Sequence, residues 1–373
     1  MNSHAVIVGG GLVGCLSALR LREAGLDVTV LEKGIPGAEA SSAAAGILAA
    51  QSEGKAPGTL FDLGLESREL YARLSEELKD RVGADVGFRR TGVLDAAMDP
   101  ASLDALANQF AWQRERQLSM QLLDARALRE VEGELSPSAV GGVYFPDDAQ
   151  IDPPRLVAAV AQAAERAGVE FRSGSLVRRV RVERDVARGV DLDGEFVPCD
   201  HVVIAAGAWS ALVEGTRLPE GCVRPARGQI VELALRLPPV RAVVFGAGGY
   251  VVPRADGRVL CGSTLEFVGF RNEVTAGGVA RILGAAITLV PALEHAAFTR
   301  SWANFRPYSV DGMPLIGDSG IARLTIATGH YRSGILMAPI TAELVRERVC
   351  TGAIRRELPG LSPQRASLAS APS

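Results

Sequence analysis

Between a short apolar run, His4 to Val8, and a helically spaced stretch, Leu12 to Ala24, the chain sets Gly9, Gly11 and Gly14 in the spacing G-x-G-x-x-G. No other feature of its 373 residues limits the fold so tightly. The first glycine admits a tight turn, the second lets backbone approach a pyrophosphate, and the third lets helix and strand pack closely. The helix start behind the turn offers unpaired N–H groups and a positive dipole end to phosphates. A second apolar run, Asp27 to Leu31, follows a helix stop at Gly25, and Glu32 closes it, where a carboxylate can accept ribose hydroxyls. The unit therefore reads as strand, helix, strand with a dinucleotide at its edge, and by itself it serves NAD or FAD.

Buried strands of the same kind recur at His201 to Ala206 and Leu324 to Ala327. Helical spacing runs from about Leu60 to Leu78, from Ser102 to Leu118, from Asp152 with Pro153 at its first position to a stop at Gly168, from Ala276 to Leu289, and onward from just after Arg332. Alternation marks Leu176 to Val182 and Val190 to Val197, and Gln229 to Cys261 is β-rich, broken by Gly and Pro. The expected fold class is α/β (α+β overall). A discontinuous Rossmann-type dinucleotide-binding domain is expected from 1–85, 150–215 and 320–360. An antiparallel-sheet substrate-binding domain is inserted as 86–149 and 216–319. Leu361 to Ser373, rich in Ser, Ala and Pro, is predicted to be a flexible tail.

Composition removes several function classes. A net charge of −3 gives no basic excess for nucleic acid or an anionic membrane. No apolar run approaches the ~18–20 residues of a membrane span, and the N-terminus does not read as a secretory leader. Five scattered cysteines without a C-x-x-C pair, and four histidines without H-x-x-x-H spacing, argue against disulfides and metal. A reducing cytoplasm is the expected compartment.

Two further features favour FAD over NAD. Ser41 and Ser42 lead into Ala43-Ala44-Ala45-Gly46-Ile47-Leu48, hydroxyls and small residues suited to phosphates and a flat ring. Ala205-Ala206-Gly207-Ala208-Trp209-Ser210 ends a buried strand with a glycine that permits close approach. With Tyr250-Val251-Val252-Pro253-Arg254, Gly262-Ser263-Thr264-Leu265-Glu266, Trp302-Ala303-Asn304-Phe305-Arg306-Pro307 and the run Gly329 to Pro339, the chain resembles the FAD-dependent amine oxidoreductases of the D-amino acid oxidase family. Within them it looks most like the glycine oxidases of the thiamine pathway. The resemblance extends to about Glu357.

The resemblance implies non-covalent FAD. Gly9, Gly11, Leu12, Val13 and Gly14 would form the phosphate turn, Glu32 and Lys33 would meet the ribose, and Ala40, Ser41 and Ser42 would follow the phosphates. Ala45, Gly46 and Ile47 would lie by the ring, Val177 by the adenine, and Ala206, Gly207 and Trp209 at the strand end. His330, Tyr331, Arg332, Ser333, Gly334, Ile335 and Leu336 would turn backbone N–H groups to the flavin edge. Arg306 would take the substrate carboxylate, Tyr250 would donate a hydroxyl to it, and Arg332 would be a second contact. The implied reaction is oxidative deamination of glycine, sarcosine or small D-amino acids, with dioxygen reduced to hydrogen peroxide. No side-chain acid or base is required. A homo-oligomer, a tetramer by analogy, is implied as well.

Gly248 stands where some members carry histidine, Leu265 where some carry methionine, and Tyr308 where a small residue is common. A Tyr308 turned inward would shrink the pocket. A quinone-linked D-amino acid or sarcosine dehydrogenase, and a non-catalytic FAD-binding protein, stay open at this point.

Overall fold

A computed structural model describes residues 3–354 and 356–368. Strand β1 (His4–Val8) lies in a six-stranded sheet, parallel to β2 (Asp27–Leu31) on one side and to His201–Ile204 on the other. Beyond β2 comes Glu170–Arg172, and beyond His201–Ile204 come Leu324–Thr328 and Leu315–Asp318. Alternation along β1 explains why both faces are apolar. Ala5 and Ile7 enter a core with helix α1 (Leu12–Glu23) and the helices Pro153–Arg166 and Gly334–Thr351. Val6 and Val8 enter another core, with Val180 and Val190 of a three-stranded antiparallel sheet on the opposite face.

The second body is an eight-stranded sheet, ordered Ala297–Ser309, Val223–Ala234, Arg258–Gly262, Gly249–Pro253, Val243–Gly246, Val93–Ala97, Gly141–Phe145, Gln121–Asp124. All its pairings are antiparallel except that of Val243–Gly246 with Val93–Ala97. Helix Ala276–Leu289 buries Ile282, Ala286 and Leu289 against it.

Two expectations need correction. The boundary expected at 319/320 falls inside a hairpin: Leu315–Asp318 pairs antiparallel with Leu324–Thr328, and its apolar Leu315 and Ile316 are buried, so the segment from 315 goes with the parallel sheet. The predicted flexible tail is packed as far as it is described. Leu361 and Leu368 are buried, and Arg365 pairs with Asp311 at 2.6 Å. Residues 369–373 of that expectation lie outside the described residues.

The two bodies are interlocked at the cofactor segment. Trp302 donates its indole N–H to the Ala43 carbonyl at 3.0 Å, and Asn304 donates its amide to Glu39 at 3.2 Å. Buried Arg254 donates to the Ala45 carbonyl at 2.6 Å and to Gln150 at 2.9 Å. A buried guanidinium bonded to backbone holds that backbone firmly, because each unmade bond would strand a desolvated polar group.

Candidate active site

A cavity of about 540 Å³ runs along the C-terminal ends of β1 and β2 and under the long strands of the second sheet. That is where ligands sit in open α/β sheets.

At the end beside the glycine turn the backbone does the work. Gly9 holds φ +107°, and a Cβ on Gly14 would lie 2.0 Å from the Gly9 carbonyl oxygen, so neither position takes a side chain. Gly9, Gly11, Leu12 and Val13 line the cavity, while Gly14 packs behind it. Ser41 caps α1, its Oγ accepting from the Leu12 N–H at 2.9 Å. Glu32 is buried, with one oxygen accepting the Gly10 N–H at 2.7 Å and the other the Gly34 N–H at 2.9 Å. These bonds fix the carboxylate, and each oxygen keeps a second acceptor site for a hydroxyl. Lys33 pairs with Glu39 at 2.8 Å and sets its ammonium 3.5 Å from the centroid of the Trp209 ring. Val177, Ala206, Gly207 and Trp209 line the same end. The Gly207 carbonyl is tied down by the hydroxyls of Ser210 and Thr328 at 2.8 and 3.0 Å.

In the middle, Ala40, Ser41, Ala45, Gly46 and Ile47 line the wall. Ser42 does not: its N–H donates to the Gly37 carbonyl and its side chain lies toward Gly37. Gly46, at φ +75°, leaves no room for a Cβ, which would lie 2.0 Å from the Ile151 carbonyl.

At the far end Tyr250, Arg306 and Arg332 converge, and residues that the sequence reading missed join them: Ser263, Gly228 and Glu53. Arg306 donates to the Ser263 hydroxyl at 2.7 Å and the Thr264 carbonyl at 3.2 Å. No carboxylate stands within ion-pair distance of it among the described residues, so the rest of its fork remains for a ligand. Burial pulls the guanidinium below its ordinary pKa. Burial likewise raises the pKa of the Tyr250 hydroxyl. Two glycines make this arrangement fit. A Cβ on Gly228 would lie 2.0 Å from Arg306 Nη1, and one on Gly262 would lie 2.3 Å from the Tyr250 oxygen.

The turn before the last long helix is built mainly from backbone. Tyr331, Arg332, Gly334 and Ile335 line the cavity at the helix's positive dipole end. Ser333 and Leu336 do not: the Ser333 N–H is spent on the His330 carbonyl, and the Leu336 side chain is buried in the core. The His330 ring turns away to Thr341 at 3.0 Å, and burial lowers its pKa to about 4. Tyr308 also stays out of the lining. Its ring braces Tyr331 edge-on, with centroids 5.0 Å apart, and meets Phe267 on another side.

No helix among the described residues is long and apolar enough to cross a membrane, and no described cluster of side chains could hold a metal ion.

Known proteins share this architecture. A family profile described as FAD dependent oxidoreductase (DAO) matches residues 4–348. The glycine oxidase of Geobacillus kaustophilus is 37% identical over 347 residues, 92% of each chain. The crystal structure of glycine oxidase from that organism matches with a TM-score of 0.92 at 35% identity, covering 98% of this chain and 99% of that one. The bifunctional protein ThiO/ThiG of Synechocystis is 36% identical over 98% of this chain, which spans 54% of that relative's length.

Proposed function

The chain belongs to the DAO family of FAD-dependent oxidoreductases and is a flavoenzyme of the glycine oxidase type; from that premise we propose that it deaminates glycine and other small amino acids, sarcosine and small D-amino acids among them, with dioxygen as the electron acceptor. The residues present fit FAD. The glycine turn, the fixed Glu32 and the small-residue wall from Ala40 to Ile47 form one continuous cradle that added Cβ atoms would fill. When bound, FAD would supply a two-electron acceptor for the substrate's Cα–H bond, with dioxygen as the final acceptor. Among the described residues no cysteine lines the cavity, which supports non-covalent attachment.

The observation that carries the reading is Arg306, a guanidinium inside the cavity with hydrogen-bond acceptors but no carboxylate beside it among the described residues. A planar fork of this kind binds a carboxylate through two parallel N–H bonds. Ser263 holds Arg306, and the Tyr250 oxygen stands beside neighbouring Gly262, so fork and phenol grip one carboxylate and thereby fix its Cα. Orientation of this sort removes much of the entropic barrier. Among the described residues no unengaged base stands at this end: Glu53 is paired with Arg332, burial raises the Tyr250 pKa, and His330 faces Thr341. The amine therefore reacts in its neutral form. In this reading the parallel-sheet body holds the cofactor and the antiparallel sheet orients the substrate. The imine or glyoxylate product supplies thiazole formation, a role supported by the match to the bifunctional ThiO/ThiG protein.

Anaerobic mixing of the yellow holoprotein with glycine, sarcosine and D-alanine tests this. Bleaching by at least one, followed by peroxide formation on admitting air, is expected. A flavin left oxidised by all of them ends the proposal.

A further inference from the structure

Four cationic or phenolic groups line the substrate end among the described residues: Arg306, Tyr250, Arg332 and Tyr331. They differ in what already holds them. Arg306 has only a hydroxyl and a carbonyl, whereas exposed Arg332 is clamped by a carboxylate. Its Nε and Nη2 both donate to Glu53 Oε1, at 2.9 and 2.7 Å. That ion pair raises the Arg332 pKa, and both partners act electrostatically on Arg306 and Tyr250.

Glu53 is no casual surface partner. The two residues before it are pinned by the buried carboxylate of Asp148, which accepts the Gln51 N–H at 3.1 Å, the Ser52 N–H at 2.8 Å and the Ser52 hydroxyl at 2.8 Å. Asp148 is in turn paired with buried Arg68 at 2.9 Å, and Arg68 also reaches Gln51 at 2.9 Å. Behind Glu53, Gly54 sits where a Cβ would lie 2.4 Å from the Phe61 ring. A buried network of this kind, with its polar groups bonded to one another, makes a rigid base.

We propose that Glu53 sets how many anionic groups a substrate carries: by occupying Arg332 it leaves Arg306 as the one open carboxylate site among the described residues at this end, so that amino acids with a single carboxylate are chosen over dicarboxylates. Asp148 and Arg68 are positioning residues for that device. The inference rests on the proposed oxidase reading for its turnover arm only. In charge terms the Glu53–Arg332 pair is neutral, and Arg306 balances one carboxylate. A second carboxylate near the opening would face Glu53 at close range and lack a free fork, and like charges brought together disfavour the wrong ligand.

The test uses the FAD-loaded protein and Glu53→Gln, which keeps the side chain's shape and removes its charge. Acetate and malonate, neither of them oxidisable as an amine, are titrated by their perturbation of the flavin spectrum. Glycine and iminodiacetate are compared by kcat/KM. In the variant, the malonate-over-acetate affinity ratio and the iminodiacetate-over-glycine ratio should each rise roughly fivefold, the scale of one solvent-facing ion pair exchanged for another. Glu53→Asp should return both ratios toward the parent, and adding Arg332→Met to Glu53→Gln should erase the gain. Should Glu53→Gln not hold FAD, Glu53→Ala removes the same charge and gives the same reading. Unchanged ratios, or a gain that survives loss of Arg332, overturn the proposal. So does an equal loss of affinity for every ligand, which would make Glu53 a holder of the amine or of the fold. If the parent oxidises no amine yet the malonate ratio shifts, the oxidase reading fails and the role of Glu53 stands.

Discussion

The two ends of the cavity are made of different material. The nucleotide end is mostly backbone: glycines at 9, 11 and 14, the start of α1, and N–H groups that hold Glu32 in place. The substrate end is mostly side chain, with Glu53, Tyr250, Ser263, Arg306 and Arg332 arriving from distant segments. Backbone geometry depends on neighbours in sequence, so the first end was written in one short stretch. Side-chain convergence depends on the whole fold, so the second end is visible only when the sheets are assembled. The first should therefore fail all at once, and the second in steps.

The largest effect is expected from Gly14→Val. With a Cβ already 2.0 Å from the Gly9 carbonyl, α1 cannot keep its seat, and the purified variant should carry no FAD and melt well below the parent. Flavin absorbance and a thermal melt check this; full cofactor content would break the contrast between the two ends. Next comes Arg306→Ala. It should keep its FAD while kcat/KM for glycine falls by ~100- to 1000-fold, as for loss of one member of a desolvated charge pair. A smaller loss, about tenfold, is expected for Gly228→Ala, whose new methyl would meet Arg306 Nη1 at 2.0 Å and push the fork aside. If FAD content drops in that variant, the two ends are less separable than the structure suggests.

The smallest effect concerns pH. Burial lowers His201, bonded to Thr325 within the parallel sheet, and His330, at the substrate-side turn, from 6.5 to about 4. The folded protein thus favours both rings neutral, and the unfolded chain takes up protons first. Their stabilising contribution is complete above pH ~6.5 and is lost as pH falls toward ~4. Melts across that window should show it. His201→Gln should remove part of the slope, ~1–2 kcal/mol at the acid end, while leaving glycine turnover nearly unchanged at pH 8.

What could be read from sequence follows the same division. Strands β1 and β2, helix α1 and the helix at Pro153 carry strong periodicity and stop signals, and they lie where expected. The strands Val93–Ala97, Gln121–Asp124 and Gly141–Phe145 were not read. One carries Asp95 and another begins with paired glycines, and their stability comes from pairing with each other and with Val243–Gly246. Arg306 and Tyr250 came from a resemblance, not from periodicity. Glu53 had no local mark at all, since an acidic residue in a small-residue loop looks like any solvated charge. Gly228 and Gly262 could have been flagged only as glycines inside strands, a sign of close approach by something. Ser42, Ser333 and Leu336 were carried over with their motifs, yet helical turning faces them away from the cavity.

The bonds from Trp302, Asn304 and Arg254 to the segment between Glu39 and Ala45 bear on how such enzymes can be recombined. A chimera that takes its substrate sheet from one parent and its nucleotide half from another would cut the chain where the sheets part. That cut separates three donors from the two carbonyls and the carboxylate they grip. The transferable module is instead the second sheet together with residues 39–47, so a designer who moves that short stretch along with the sheet carries the seam intact.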